Sequence, residues 1–250
     1  MQFLLTLYAT AAAALLAAVF VGIKLIEDRG NRGLRYLFFC FTLIFASYIL
    51  FILIGRLPDY ITYYLGGVLI FCGYMFGSRG LSLLVGRERL LFWYLIPLIL
   101  FSLILLYFTF LNKQREMWAP VSTTLALPYF FFMVYDFFRN YKTGSRYVRV
   151  LTQIVLVQLF LVFVLRCAVE IIGFYYGGLL AKNSNFMIFV RLLYPISIME
   201  MGFVCLLLIA DIAEVREKRT AKKLLKALDE RDLLYATVAH ELSSPLNSTL

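Results

Sequence analysis

Seven long apolar stretches constrain the fold of this chain more than any other feature of its sequence. A helix needs roughly 20 mainly apolar residues to cross the hydrocarbon core of a bilayer. Hydrophobic residues make up 62% of the chain and charged residues 16%, against about half and about a quarter in soluble domains. We therefore expect an all-α membrane protein with a seven-helix transmembrane bundle over 1–211. The predicted spans are 3–26, 34–55, 60–77, 90–111, 117–138, 148–173 and 186–210.

The charges between the spans predict how the bundle is oriented. The first, third and fifth connections carry eleven Lys and Arg residues, and the other three carry five. Short connections rich in Lys and Arg stay in the cytoplasm, so the N-terminus is expected outside and the C-terminal tail inside. The net charge of +9 then reflects topology, and we expect no nucleic-acid partner. The eleven are Lys24, Arg29, Arg32, Arg35, Arg79, Arg87, Arg89, Arg139, Lys142, Arg146 and Arg149, and the five are Arg56, Lys113, Arg115, Lys182 and Arg191.

The outer connections are too short to hold a folded sensor domain. The longest runs from about 174 to 187. A stimulus must therefore act on these short loops, within the helix bundle, or through an unknown ligand or membrane partner.

Four charged residues inside the last two spans are candidates for a polar site within the membrane, because such charges usually face the protein interior. Arg166 and Glu170 lie four residues apart on the sixth span, and Arg191 and Glu200 lie on the seventh. Antiparallel packing of these spans would pair Glu170 with Arg191 and Arg166 with Glu200. Two interpretations stay open: an ion-pair ladder that fixes helix register, or a polar ligand pocket in the outer half of the bundle.

Small residues in the third span predict close helix packing. Gly73 and Gly77 have the spacing that lets two helices approach, with dimerisation as the alternative role. This span is the shortest, and its continuation over 81–85 is expected to lie along the membrane surface.

The composition of the spans also excludes several cofactors. They contain no histidine for a haem or metal, and the seventh has no lysine for a retinal-type Schiff base. We expect this chain to hold no metal and no cofactor of its own. The four cysteines lie inside apolar runs without metal-like spacing, and we expect them to be unpaired.

A charged helix is predicted to leave the membrane after the seventh span. No glycine or proline interrupts the chain between Gly202 and Pro245, so one helix is the simplest interpretation, with a signalling linker over 212–232. From Asp211 to His240 such a helix extends ~44 Å at 1.5 Å per residue. Apolar positions recur there in alternating steps of four and three with one polar interruption, as in a coiled coil. These positions are Leu224, Leu228, Arg231, Tyr235, Val238 and Leu242.

The only histidine of the chain, His240, lies at the end of this helix. The segment from Tyr235 to Leu246 reads Tyr-Ala-Thr-Val-Ala-His-Glu-Leu-Ser-Ser-Pro-Leu. It resembles the phosphoacceptor helix of the sensor histidine kinases of two-component systems, whose common form is His-Glu-Leu-Arg-Thr-Pro-Leu. Ser243 and Ser244 stand where that family usually has arginine and threonine. The resemblance implies that 233–250 begins a dimerisation and phosphoacceptor domain.

The resemblance also implies roles for three residues. His240 would be the phosphoacceptor, Glu241 its acid–base partner, and Ser244 would act in phosphatase activity. The phosphoryl donor would be ATP with Mg, bound by a domain that this chain does not contain, and the acceptor would be the receiver domain of a response regulator. A homodimer is expected.

The resemblance ends at Leu250, within the first helix of the phosphoacceptor domain. We therefore expect this chain to be the sensor portion of a longer membrane-bound enzyme and to be inactive as a kinase alone. The alternative is a non-enzymatic seven-span receptor or small-solute transporter with a cytoplasmic coiled-coil tail. Transporters often contain internal repeats, and no clear repeat is visible among these spans.

The predicted orientation can be tested with reporter fusions. Green fluorescent protein fused after Leu250 should fluoresce, and alkaline phosphatase fused there should be inactive, because that end faces the cytoplasm. Fusions after Arg56, in the second connection, should behave in the opposite way. Active phosphatase after Leu250 would contradict the orientation and remove His240 from the compartment that contains ATP.

Overall fold

The computed structural model describes residues 2–112, 118–142, 144–175 and 185–247, and in the last helix it describes the side chains at 193 and 196–238. In this part of the chain every element is helical, apart from one isolated β-bridge between Ile54 and Leu57. The helices are α1 (Gln2–Glu27), α2 (Arg32–Ile52), α3 (Gly66–Leu84), α4 (Leu91–Leu106), α5 (Trp118–Asn140), α6 (Arg146–Tyr175) and α7 (Asn185–Asn247). A π-helical turn, Tyr60–Leu65, leads into α3, and a second, Tyr107–Asn112, follows α4.

The predicted number of spans is confirmed for the described part of the chain. Seven helices there are long and apolar enough to cross a membrane, as a multi-pass membrane protein requires. The first π-helical turn lies within the third span, Tyr60–Leu84, and the second begins inside the fourth span, Leu91–Phe110, and ends two residues beyond it.

Local sequence explains where the helices around α3 begin and end. Asn31 caps α2, because its side-chain oxygen accepts hydrogen bonds from the amides of Gly33 and Leu34 at 3.1 and 3.3 Å, as N-cap asparagines do. At the end of α3, Gly86 has φ +79°, and the Arg87 amide donates to the carbonyl of Ser82 at 2.9 Å. This is a Schellman ending, which favours glycine at the left-handed position.

The segment expected along the membrane surface is instead the last turn of α3. The helix continues to Leu84, and Leu81 and Ser82 are buried inside the protein. The hydroxyl of Ser82 makes interhelical contacts there, so this turn belongs to the core of the bundle.

Glycines bring α3 close to α2. A Cβ atom on Gly73 would lie 2.8 Å from Cγ1 of Ile44, and one on Gly80 would lie 3.0 Å from both the carbonyl oxygen of Gly33 and the amide nitrogen of Leu37. Backbone atoms cannot move aside as a side-chain tip can. A Cβ on Gly77 would likewise lie 2.8 Å from Sγ of Cys40, so the Gly73–Gly77 spacing allows close packing against α2, and dimerisation stays an untested alternative.

The contacts divide the chain into two compact units, Met1–Leu208 and Ile209–Leu250. Within the second unit, Lys218 pairs with Glu214 and Lys226 with Glu230 at the i,i+4 spacing that stabilises a helix. The hydrogen bond from Lys218 to Glu214 raises the pKa of that lysine.

Several apolar positions of the predicted coiled-coil seam are exposed in the single chain. Leu224, Leu228 and Tyr235 are 63%, 39% and 62% exposed. Coiled-coil pairing through this seam stays a prediction.

Replacing Gly80 should weaken the contact between α2 and α3. We expect Gly80→Leu to lower the free energy of unfolding by about 1–3 kcal/mol or more, the usual cost of overpacking. The buried thiols of Cys40 and Cys205 provide the measurement, because a thiol-reactive dye labels them only as the protein unfolds on heating. Gly30→Leu is the matched control, since the nearest atom to a Cβ there is 3.8 Å away. Equal melting temperatures for the two variants would contradict this role of Gly80.

Candidate functional site

The phosphoacceptor segment lies on α7. The helix Asn185–Asn247 includes the backbone of His240, Glu241 and Ser244 and continues past Pro245. Positions 240 and 244 are four residues apart and so share one helix face. The side chains of these residues lie outside the described part of the chain, so their predicted roles stay predictions.

The intramembrane charges of α6 form a pair with each other. Nε of Arg166 lies 3.8 Å from Oε1 of Glu170, and the two side chains are 25% and 16% exposed. The predicted pairing of Glu170 with Arg191 lies outside the described residues, because the side chain of Arg191 is not among them.

Glu200 makes its described contact with an uncharged partner. Oε2 of Glu200 accepts a hydrogen bond of 2.6 Å from Nε2 of Gln158. Gln158 lies about two turns from Arg166 on α6. The sequence analysis paired Glu200 with Arg166 because their charges are opposite, and it did not identify Gln158. A polar contact between α6 and α7 does exist, with Gln158 as the partner of Glu200.

A cavity of about 270 Å³ lies between the ends of helices in the first unit. Its wall is formed by the first part of α1, the last part of α2 and the residues just after it, the π-helical turn before α3, the first half of α3, the start of α5 and the second half of α6. By the predicted orientation, this is the outer end of the bundle. The lining residues are Leu7, Tyr48, Phe51, Ile54, Tyr63, Ile70, Phe71, Tyr74, Ser122, Thr123, Phe163 and Arg166.

Aromatic contacts hold the rings of this cavity in place. Phe163 stacks on Phe130 with ring centroids 3.8 Å apart, and Tyr74 meets the edge of Phe163 at 5.6 Å. Phe71 stacks on Phe101 with centroids 3.6 Å apart. Phe71, Tyr74 and Phe163, three of the six aromatic residues that line the cavity, are therefore packed against other rings.

A second polar cluster lies at the opposite end of α3, where the buried carboxylate of Asp136 on α5 meets two arginines. Arg89 binds it with two hydrogen bonds, Nε to Oδ2 at 2.8 Å and Nη2 to Oδ1 at 2.6 Å. Nη1 of Arg87 lies 3.3 Å from Oδ1. Oγ of Ser82 lies 2.7 Å from Oδ2 and accepts from the hydroxyl of Tyr94 at 3.2 Å.

This cluster joins α3, α4 and α5 through a side chain that is fully buried. Bidentate hydrogen bonding between an arginine and a carboxylate is among the strongest polar side-chain interactions in proteins. The same bond raises the pKa of Arg89, so the guanidinium stays charged. The arrangement locks helices together, because the carboxylate of Asp136 is held by Arg89, Arg87 and Ser82 at once.

The sequence indicated the arginines of this cluster but not its centre. By their positions in a connection, Arg87 and Arg89 indicate topology, and no sequence pattern marks Asp136 as their partner. An acidic residue one turn before Arg139 at the end of an apolar run was the available signal. Its partners could not be identified, because they come from a connection nearly fifty positions earlier in the chain.

No protein-family model, curated protein or solved structure matches this chain. The assignment of a function therefore depends on the residues and their geometry.

Removing the carboxylate of Asp136 should strongly destabilise the bundle. We expect Asp136→Leu to cost about 3–5 kcal/mol of unfolding free energy, because it leaves Arg89 part-buried without its counter-ion. The double variant Asp136→Leu/Arg89→Met should recover much of this loss, since an apolar pair leaves no uncompensated charge. Thermal unfolding of the wild type, both single variants and the double variant gives the coupling energy. Additive losses would show that the two residues do not act as a pair.

Proposed function

We propose that this chain is the membrane sensor and signalling helix of a two-component sensor histidine kinase. A stimulus at the membrane controls phosphorylation of His240, and the phosphoryl group then passes to a response regulator. The observation that best supports this is the helix Asn185–Asn247. That one element contains the last apolar span and the segment that resembles the phosphoacceptor motif.

The residues of the motif suit phosphoryl transfer. A neutral imidazole nitrogen of His240 attacks the γ-phosphorus of ATP, an N–P bond forms, and the bond to the bridging oxygen breaks to release ADP. The carboxylate of Glu241 accepts a hydrogen bond from the N–H of the other ring nitrogen. It thereby orients the ring and offsets the positive charge that develops on it. Positioning and charge stabilisation supply most of the catalysis in such transfers. Ser244, one turn further on, provides a hydroxyl that can position water for phosphatase activity, in which water attacks phosphorus and inorganic phosphate is released.

The partners follow from this proposal. ATP and Mg are bound by a separate ATP-binding domain of the parent enzyme, and the receiver domain of a response regulator takes the phosphoryl group. The exposed apolar side chains of Leu224, Leu228 and Tyr235 support a parallel homodimer, because a heptad seam is buried only when a second helix covers it. The protein is expected in the cytoplasmic membrane, with its N-terminus outside and this helix inside.

Labelling with phosphate tests the proposal directly. The chain is fused after Leu250, in helical register, to the remaining phosphoacceptor and ATP-binding domains of a characterised sensor kinase. Incubation with γ-labelled ATP should give a label that is lost in acid and stable in alkali, as expected for phosphohistidine. His240→Gln should abolish the label. Thr220→Ala, which removes an exposed hydroxyl on the same helix, is the matched control and should leave it unchanged.

Labelling that survives His240→Gln would contradict the phosphoacceptor role. Absence of any label in a fusion that folds and dimerises would favour the non-enzymatic receptor or transporter. In that case the cavity would serve a receptor without a kinase.

A further inference from the structure

We infer that the cavity in the outer half of the bundle is a binding site for a small amphipathic carboxylate, a compound with an apolar body and one carboxylate group. The binding itself stands on the geometry of the cavity. Its role as the input of a kinase rests on the proposed function.

The size and lining of the cavity indicate the body of the ligand. Its volume of about 270 Å³ is near the lower end of the range for small-molecule pockets, roughly 300–1,000 Å³. Six of the lining residues are aromatic, and Phe71, Tyr74 and Phe163 are fixed by the ring contacts already described. A preformed wall of rings accepts a short apolar or aryl group without further ordering.

The polar atoms of the lining indicate the head group. Among the described residues that line the cavity, Arg166 is the one cation and none is acidic, while the carboxylate of Glu170 lies 3.8 Å from its Nε. A guanidinium is charged at all physiological pH values and has five N–H donors, so it can face both Glu170 and a second acceptor. The hydroxyl of Thr123, on α5 in the same lining, donates to the carbonyl of Pro120 at 3.1 Å, so the donors to a ligand are those of the guanidinium. A guanidinium beside rings favours a carboxylate over a neutral or cationic group, because charge-assisted hydrogen bonds are about twice as strong as neutral ones.

The cavity also fits the topology. By the predicted orientation it lies at the outer end of the bundle, and the outer connections are too short for a separate sensor domain. A small compound could reach this site from outside the cell or from the outer leaflet. A charge placed inside a membrane bundle is costly and usually marks a functional site, and Arg166 is such a charge.

Three probes with one body and different head groups test the inference. These are 3-phenylpropanoate, 3-phenylpropan-1-ol and 3-phenylpropan-1-amine. The full chain is placed in lipid nanodiscs, and saturable binding of each radiolabelled probe is measured against empty nanodiscs, which report partition into lipid. We expect saturable binding of the carboxylate, at least tenfold weaker binding of the alcohol, and none of the amine. Equal binding of the alcohol, or no saturable binding of any probe, would overturn the inference.

Variants place the binding in this cavity. Arg166→Gln should weaken binding of the carboxylate at least tenfold and leave the alcohol unchanged, whereas Arg166→Lys should retain part of the affinity. Arg139→Gln removes an exposed arginine at the other end of α5 and is the matched control with unchanged binding. Ile70→Phe should abolish binding while the melting temperature stays equal or rises, because the larger side chain fills the open space. Full affinity in Arg166→Gln or in Ile70→Phe would overturn the site.

The outcome is independent of the kinase assay. Saturable binding without a label on His240 would reject the proposed function and keep the site. A label on His240 without binding of any probe would reject the site and keep the proposed function.

Discussion

The close approach of α2 and α3 is the contact around which the rest of the bundle is arranged. In a bilayer, helices gain little from hiding apolar surface, because lipid is as apolar as another helix; packing of small residues and polar contacts must hold them together. Gly73 and Gly80 allow the backbones to meet. The third span is accordingly the most buried of the seven in the described part of the chain. The other faces of α3 then contact α4 and α5.

Polar groups divide the bundle into two ends with different properties. At the end predicted to face the cytoplasm, Asp136, Arg87 and Arg89 form a satisfied network that costs free energy to break. At the other end, α3 and α5 line a cavity together with parts of α1, α2 and α6, and the charged side chain of Arg166 forms part of its wall. A bundle locked at one end and open at the other can accept a ligand without losing its fold.

Much of this architecture could be predicted from the sequence, because lipid imposes a length and a composition on every helix. The seven spans and the uninterrupted last helix followed from apolar run length and from the positions of glycine and proline. The partners of polar residues did not follow. Gln158 binds Glu200 and Ser82 approaches Asp136 because helix rotation and crossing angles place them together, and those angles depend on the whole packing. The sequence indicated a ligand pocket only as one of two interpretations of the intramembrane charges. No sequence pattern predicts where packed helices leave a cavity.

The placement of α6 suggests how a bound ligand would reach the signalling helix under the proposed function. One face of α6 contributes Phe163 and Arg166 to the cavity, and two turns away Gln158 binds Glu200 on α7. A ligand shifts a conformational balance only by the difference between its affinities for the two states. A carboxylate bound to Arg166 would favour the position of α6 that brings the guanidinium into the cavity. The hydrogen bond from Gln158 on α6 to Glu200 on α7 would then either move α7 with α6 or break. Under the proposed function, α6 would therefore convert ligand binding into a shift or rotation of α7, and that movement would be the signal carried toward His240.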